Sequence, residues 1–468
     1  MKKPLQNIIA VAGFDVVSRL LGFAANAYLA RVLGASGFGV MSIGFSVLSY
    51  IAIISNPGLT VLGTRNVAAR EESAERLPGS LAALRFVIAT CCILLASAAA
   101  FVFSDQLNVS FTALLFSLSA LPMAFSLDWY FQGKENLVAS SGSKAVTALV
   151  YVVLVVALVH AESDVPLTAV AYFMGNIVAS LLLLELLRRQ QHQLRIDWRV
   201  KSWKNLLSAS LPLGLTSFLA QTFMNLPVLI VGFISSAADA GLFNGAMKLV
   251  FVALMIDRVF YTFFFPVISR QRAADATAYK HTASLALRVV LAVGIPIVVY
   301  GTAFAEEAVR VVYGSGFVGA VVPFQILLLY FLFSIVNTVF MSVMIAENRE
   351  REYVRIMAGA TALLVILSLA LASLYGATGV ASAVAIGEGV LTFWLFVTQR
   401  ARIFDISTLR LTMPAVASGL AMLAAVFLLS DVHFIAALAV GALTFSVMLV
   451  ILKGFSKEEI QFLRERFV

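Results

Sequence analysis

The chain has 468 residues, is 61% hydrophobic and only 12% charged, and carries a net charge of +8. That composition excludes a soluble globular protein. With about fourteen apolar segments, each span and its loop receive roughly 33 residues, which leaves little for a soluble domain.

The first apolar segment, 7–32, follows a Met-Lys-Lys start that imitates a signal peptide. Asp15 and Arg19 interrupt it and the apolar pattern runs on to Val32, so it reads as an uncleaved first span. Asp15, Arg19, Gly22 and Asn26 are spaced by 4, 3 and 4 and share one helix face. Arg19 lies roughly 18 Å from the inner end at about 1.5 Å per residue, too deep to reach water easily along its own stem. Two readings stand: an internal ion pair with Asp15 that neutralises both groups, or a lining for a hydrated cavity. Arg31, near the outer end, can snorkel.

Further segments follow at 37–63, 81–103, 109–131, 140–160 and 166–187. The only cysteines, Cys91 and Cys92, are adjacent within one of them and indicate neither a disulfide framework nor a metal site. The gap from Arg188 to Lys204 is polar and basic, and too short for a core of its own. Next comes 206–234, where Gly214, Gln221 and Asn225 align. In 239–268, Asn244, Lys248 and Arg258 fall within about 80° of one another, and Asp257 points about 100° away from Arg258, towards another helix. Two cations on one face suit an anionic ligand, with local pairing as the alternative. The remaining segments are 283–305, 318–346 with a Tyr330, Ser334 and Asn337 stripe, 354–374, 377–398 with the deep carboxylate Glu388, 411–430 and 433–452. Polar stripes of this kind often hold helices together rather than form sites. Runs this long without alternation are helices, not barrel strands.

All but five of the 33 Lys and Arg residues lie at or beside one side's segment ends; the five are Arg19, Arg31, Lys248, Arg258 and Arg310. Inner gaps hold groups such as Arg65, Arg70 and Arg76, or Arg349 and Arg351, whereas outer gaps hold Asp105, Glu162, Asp164, Asp239, Glu306, Glu307 and Asp431. Cationic loops stay cytoplasmic during insertion, so the pattern predicts an even span count with both termini inside. It also explains the positive charge without invoking nucleic acid.

Phe38-Gly39-Val40-Met41-Ser42 opens the second span and Ala240-Gly241-Leu242-Phe243-Asn244 opens the eighth, 202 residues later. Each follows a short outer turn after a long span, which hints at two six-helix halves of like orientation. The expected division is an N-terminal six-helix bundle at 1–187, a basic cytoplasmic linker at 188–205, and a C-terminal six-helix bundle at 206–398. Helices 13 and 14 at 399–452 and a cytoplasmic tail at 453–468 complete it. The fold class is thus an all-α polytopic membrane protein.

The sequence has no G-x-x-x-x-G-K-[ST] phosphate loop. It also has no H-E-x-x-H or paired Cys/His motif. No cofactor or metal is expected and no enzyme activity. A proton or a sodium ion is the candidate coupling ion, with Asp15, Asp257 and Glu388 as the deep carboxylates able to take it. Glu388 is the first choice because no cation is near it in its own helix, and a lone carboxyl in apolar surroundings suits proton exchange near neutral pH.

Several stretches resemble the bacterial exporters that flip lipid-linked oligosaccharides, within the multidrug/oligosaccharidyl-lipid/polysaccharide exporter superfamily. They are Ala30-Arg31-Val32-Leu33-Gly34 with Phe38-Gly39, then Gly63-Thr64-Arg65, and Trp129-Tyr130-Phe131-Gln132-Gly133-Lys134-Glu135. The last is similar to an element of O-antigen flippases, and Ser18-Arg19-Leu20-Leu21-Gly22 is similar to the first helix of lipid II flippases. The resemblance implies two bundles around a central cavity that opens alternately inside and outside. It implies a cationic cavity for the pyrophosphate and sugars of a polyprenyl-linked O-antigen or exopolysaccharide unit, with the lipid tail left in the bilayer. Arg19, Asn26, Arg31, Gln221, Asn225, Asn244, Lys248 and Arg258 are the candidate substrate-binding residues, those of spans 1 and 8 on opposite walls. Expected partners are membrane lipid and, for polysaccharide biosynthesis, a polymerase and chain-length proteins; the chain is expected to be a monomer in the inner membrane. A lipid II flippase would carry cavity arginines in span 2, which this sequence lacks. A multidrug antiporter would favour an acidic cavity. A membrane glycosyltransferase or polymerase would need a catalytic loop domain.

Overall fold

The computed structural model describes residues 2–70, 77–103, 107–190, 196–400, 402–404, 406–429 and 434–467. Arg76, Asp105, Arg195 and Asp431, which contribute to the charge alternation, lie outside the described residues. Every regular element among the described residues is helical. In a bilayer core no water is available for backbone N–H and C=O groups, so a spanning segment must satisfy them within itself.

The first half contains α1 (Lys2–Ile54), α2 (Leu59–Ala68), α3 (Leu77–Phe103), α4 (Leu107–Leu118), α5 (Ala120–Ala124), α6 (Asp128–Gly133), α7 (Leu137–Leu158) and α8 (Val165–Arg189). There follow α9 (Val200–Ile234), α10 (Ala237–Ala274), α11 (Ala276–Ala303), α12 (Ala305–Tyr313) and α13 (Val321–Ala346). The last are α14 (Glu350–Gln399), α15 (Ile406–Leu429), α16 (Phe434–Ile451) and α17 (Lys457–Phe467).

Ten stretches among the described residues are long and apolar enough to cross a membrane, and two shorter apolar helices cover Gln221–Ile234 and Ala436–Ile451. Two of the ten, Ala10–Ile54 and Glu350–Gln399, each hold two of the expected spans. Gly34 (φ 64°, ψ −178°) separates the two limbs of α1, and Gly376 (φ 51°, ψ −130°) those of α14. Such backbone angles are open almost only to glycine, so one residue suffices to end one limb and start the next. All fourteen apolar segments therefore have a helical counterpart.

Two of the expected spans are interrupted, and several helices run some residues past the expected ends, as α10 does to Ala274 and α11 from Ala276. The second span stops at Ile54, because Asn56-Pro57-Gly58 breaks the helix and Gly58 takes φ 77°. Asn56 Oδ1 then accepts from the Thr60 N–H at 3.1 Å to start α2. The fourth span is cut into α4, α5 and α6, and Pro122 stands within α5, where it leaves the Leu118 carbonyl at the end of α4 without its i+4 donor. Proline removes a helical donor. Buried Arg85 crosses to the end of α5 and donates to the Met123 carbonyl at 2.6 Å, which also accepts from the Ser126 N–H at 3.2 Å.

Packing divides the chain into two compact units, 1–244 and 245–468. In the first, the second limb of α1 packs on α4, α7, α8 and α9. A core of Leu59, Val67, Leu81, Trp129, Phe131 and Leu183 ties α2 and α6 to α3 and α8. A Cβ on Gly63 would lie 2.5 Å from the Trp129 ring, and one on Gly133 would lie 2.8 Å from the Thr64 carbonyl. Thr64 Oγ1 also donates to the Trp129 carbonyl at 3.0 Å. Two of the stretches that carry the family resemblance are thus the two sides of one helix contact.

The segment after α8 is held on the same unit. Asp197 accepts from Ser80 Oγ at 3.3 Å and from Arg199 at 2.8 Å, and its carbonyl accepts from Trp203 Nε1 at 3.2 Å. The Arg199 hydrogen bonds outweigh the cost of burial and hold the Asp197 carboxyl down at about 2.

In the second unit, α13 packs on α14 and α11, and α11 and α16 pack on α15. A small core of Val299, Met422, Val426 and Phe445 joins α11, α15 and α16. The tail is clamped to α11. Buried Arg288 donates from Nη1 to Glu459 Oε2 at 3.1 Å and to the Gly454 carbonyl at 3.2 Å, and from Nη2 to Glu459 Oε1. His281 Nε2 lies 3.1 Å from the same carboxylate. Burial alone would raise the Glu459 pKa, but hydrogen bonds from Arg288 and the Ser456 N–H, with the charges of Arg288 and His281, bring it below its ordinary value.

Glu459→Gln leaves the Arg288 charge buried without a counter-charge, and breaking such a pair costs about 3 kcal/mol. The variant is expected to melt at a lower temperature in detergent. Because the folded carboxyl titrates below the unfolded one, the wild-type contribution is complete above the ordinary carboxylate pKa and is lost as pH falls through the depressed value. Melting curves of both proteins should therefore converge on acidification; a constant gap would contradict this.

Candidate functional site

The first limb of α1 carries the paired charges. Arg19 Nε donates to Asp15 Oδ2 at 3.0 Å, and both side chains are about half exposed, at 42% and 50%. The i, i+4 spacing that a helix imposes brings them together. Among the described residues the two terminal nitrogens of Arg19 have no partner, so the carboxylate orients the guanidinium without covering it. Asn26 donates to the Gly22 carbonyl of its own helix at 2.6 Å. Arg31 is exposed near the Gly34 bend and is engaged in an interaction there.

Where the second limb of α1 meets the start of α10, backbone touches backbone. A Cβ on Gly39 would sit 1.6 Å from the Ala237 carbonyl oxygen, and one on Gly241 would sit 2.0 Å from that of Ala35. Gly39 and Gly241 are equivalent positions of the repeat, and so are Ala35 and Ala237. Residue i touches the equivalent of j while j touches the equivalent of i, the signature of a local twofold relation. The next repeat pair, Ser42 and Asn244, lies one turn along, and Asn244 Nδ2 donates to Ser42 Oγ at 2.6 Å. The repeat suggested by the sequence is thus present as a contact. Asn244, expected among the ligand-binding groups, uses an amide hydrogen on this crossing.

Beyond the crossing, α10 carries Lys248, Asp257 and Arg258. Lys248 is half-buried, with Nζ 6.0 Å from the centroid of the Phe251 ring and no carboxylate within ion-pair distance among the described residues. Arg258 is exposed and also lacks an ion pair among the described residues. Asp257 turns the other way. Its Oδ2 accepts from Thr338 Oγ1 of α13 at 2.9 Å, and its Oδ1 is buried without a hydrogen-bond partner. This is the inter-helix partner that its position on the helix called for.

Glu388, in the second limb of α14, is buried. Its Oε1 accepts from Asn337 Nδ2 at 2.7 Å, and Asn337 Oδ1 is itself buried and unpartnered. Consecutive residues of α13, Asn337 and Thr338, therefore reach two carboxylates on two different helices. The sequence stripe included Asn337 but missed Thr338, which sits beside it on the next face; an adjacent amide and hydroxyl in an otherwise apolar run was the available signal. Asp257 Oδ1 and Asn337 Oδ1 are thus two buried oxygen acceptors of this group without a hydrogen-bond partner. Among the described residues no group of three or more His, Cys, Asp or Glu side chains could hold a metal ion.

Gln221 and Asn225 are half-buried on α9, where Asn225 Nδ2 approaches the Gln221 carbonyl at 3.4 Å. That contact lies within one helix and brings neither residue to the charged groups.

The chain matches the polysaccharide biosynthesis protein family over residues 5–272. A protein of Escherichia coli (strain K12) named "Putative O-antigen transporter" is 22% identical over 396 residues, which span 83% of this chain and 94% of that protein. A similarly named protein of Shigella dysenteriae is 21% identical over 251 residues, 53% of this chain and 62% of its own length. Among solved structures, the lipid II flippase MurJ in an inward closed conformation superposes with a TM-score of 0.74 at 14% identity, covering 98% of this chain and all (100%) of that one. An inward-facing multidrug resistance transporter of the MATE family superposes with a TM-score of 0.66 at 13% identity, covering 82% of this chain and 94% of its own. These likenesses show that the chain shares the fold of those two structures.

The exposure of the cations and the burial of Glu388 make a labelling prediction. In a functional background lacking Cys91 and Cys92, Arg258→Cys should react with a membrane-impermeant thiol reagent and Glu388→Cys should not. Labelling of both, or of Glu388→Cys alone, would show that the exposed and buried groups are wrongly assigned.

Proposed function

The chain belongs to the polysaccharide biosynthesis protein family, and from that premise we propose that it is a flippase for a polyprenyl-pyrophosphate-linked oligosaccharide, an O-antigen or exopolysaccharide unit. It works as a transporter rather than an enzyme, in a bacterial inner membrane with both termini cytoplasmic. The observation that carries the reading is the sorting of deep charge. Arg19, Lys248 and Arg258 keep donors free, whereas Asp257 and Glu388 are turned into helix packing. Asp15, the one exposed deep acid among these, already holds Arg19. An anionic head group finds partners in such a molecule and a lipophilic cation does not, which supports glycolipid export over multidrug antiport.

A pyrophosphate offers oxygens that the planar fork of an arginine can grip in pairs. With Nε on Asp15, the terminal nitrogens of Arg19 remain for that contact. Sugar hydroxyls need only hydrogen-bond donors and acceptors and a wet path. The prenyl chain stays in the hydrocarbon.

Without a nucleotide site, directional movement draws on an ion gradient or on removal of the glycan outside. The Asp257, Thr338, Asn337 and Glu388 group is the coupling site of this proposal, with a proton exchanging at Glu388. Unprotonated, Glu388 accepts from Asn337; protonated, it can donate, and the α13–α14 contact changes with it.

Two outcomes follow in vesicles loaded with labelled lipid-linked oligosaccharide. Arg19→Ala should insert normally and lose at least about tenfold in flipping rate, with Arg19→Lys intermediate, since a charged hydrogen bond of about 1.5–3 kcal/mol is removed. Normal flipping by inserted Arg19→Ala protein would sink the head-group role. Glu388→Gln should flip at a rate that no longer responds to an imposed proton gradient. If the variant keeps the response, Glu388 is not the coupling group; if the wild type ignores proton and sodium gradients alike, flipping is downhill.

A further inference from the structure

The two limbs of α14 enclose a cavity of about 440 Å³ that the transport reading does not use. Arg355, Ile356 and Leu363 line it from the first limb, and Val390, Leu391 and Trp394 from the second. Gly359 lies on its wall, and a Cβ there would meet nothing within 4 Å, so the first limb offers a groove rather than a ridge.

The lining is polarised along the helix axis. Glu352 and Arg355 stand at the end of the first limb where Arg349 and Arg351 begin the helix and where Arg400 and Arg402 follow the second. Everything deeper is apolar. From Arg355 to Leu363 the wall runs roughly 12 Å at about 1.5 Å per residue. The Glu352 carboxylate is held by Arg349 at 2.7 Å, so it does not neutralise the mouth. Arg355 is exposed and has no ion pair among the described residues. Trp394 is 59% exposed beside the mouth, and an indole with one apolar and one polar edge belongs at the level of lipid head groups.

We propose that this groove is a binding site for one anionic phospholipid of the leaflet that faces the basic loops. Its phosphate sits against the Arg355 guanidinium and the upper part of one acyl chain lies between Leu363, Val390 and Trp394. The short apolar wall suits the first stretch of an acyl chain and ends too soon to hold the length of a polyprenyl carrier. The single cation suits a phosphodiester. Such a lipid would join the two limbs of α14 at their basic ends, where Gly376 joins them at the other.

The test uses tryptophan quenching with the full chain in vesicles. The chain has four tryptophans, so the Trp394 signal is the difference between the wild type and Trp394→Phe. Brominated phosphatidylglycerol and brominated phosphatidylcholine are compared at equal mole fraction. The expected result is an about fivefold preference of the Trp394 site for phosphatidylglycerol, the effect of one basic residue at an anionic surface. Arg355→Gln should abolish the preference while leaving phosphatidylcholine quenching intact, which shows that the variant is folded and the groove still meets lipid. Equal quenching by the two lipids in the wild type, or a preference that survives Arg355→Gln, overturns the proposal. So does displacement of brominated phosphatidylglycerol by a small amount of unlabelled polyprenyl pyrophosphate, which would give the groove to the transported lipid instead.

Discussion

The structure depends on one close approach, the crossing of the second limb of α1 with the start of α10. Carbonyl oxygens of Ala35 and Ala237 occupy the volume that a side chain would need at Gly241 and Gly39. Lipid tails are as apolar as leucine, so helices in a bilayer gain little from hiding apolar side chains and much from close van der Waals contact between backbones. Glycine at both equivalent positions permits that contact, and the Ser42–Asn244 hydrogen bond sets its register. The same two helices carry the cations: Arg19 and Arg31 precede the crossing on α1, and Lys248 and Arg258 follow it on α10.

Charge is sorted around that point according to what each group can afford to do when dry. A guanidinium or ammonium with free donors is useful only where a ligand or water can reach it. A carboxylate can accept from a neighbouring amide or hydroxyl and disappear into packing, as Glu388 does with Asn337 and Asp257 with Thr338. At the tail both signs are buried together: Arg288 and Glu459 pair directly, and Arg288 also donates to the Gly454 carbonyl. Each buried charge thus has a named partner, whereas Lys248 and Arg258 on α10 and Arg355 at the mouth of the α14 groove have no ion pair among the described residues.

Much of this was legible in the sequence, for particular reasons. Hydropathy and cation placement delivered the fourteen apolar segments, because the bilayer dictates length and the loops dictate sign; the amphipathic α12 and α17 lie outside those segments. The i, i+4 geometry delivered the Asp15–Arg19 pair. The repeat at Gly39 and Gly241 was visible as a weak similarity and has a strong cause, the crossing. The motifs that carried the family resemblance act largely in packing: Gly34 makes a bend, Gly39 makes the crossing, and Gly63-Thr64 fits against Trp129 to Gly133. Such motifs mark a superfamily and say little about its cargo. The contacts of Arg85, Arg288 and Thr338 were not legible, because they depend on which helix lies alongside, and a periodicity identifies a face without naming its neighbour. The break of the fourth span at Pro122 was legible in principle, since proline in a helix interior removes a hydrogen bond.

The central claim is that the exposed deep charges serve an anionic ligand. Equilibrium binding to the purified protein in neutral detergent tests it most directly, with a polyprenyl pyrophosphate and a lipophilic drug cation as competing ligands. The account predicts that the pyrophosphate binds, that Arg258→Ala weakens it, that added salt weakens it further, and that the cation does not compete. Tight binding of the cation, lost in Glu388→Gln and indifferent to Arg258→Ala, would contradict it.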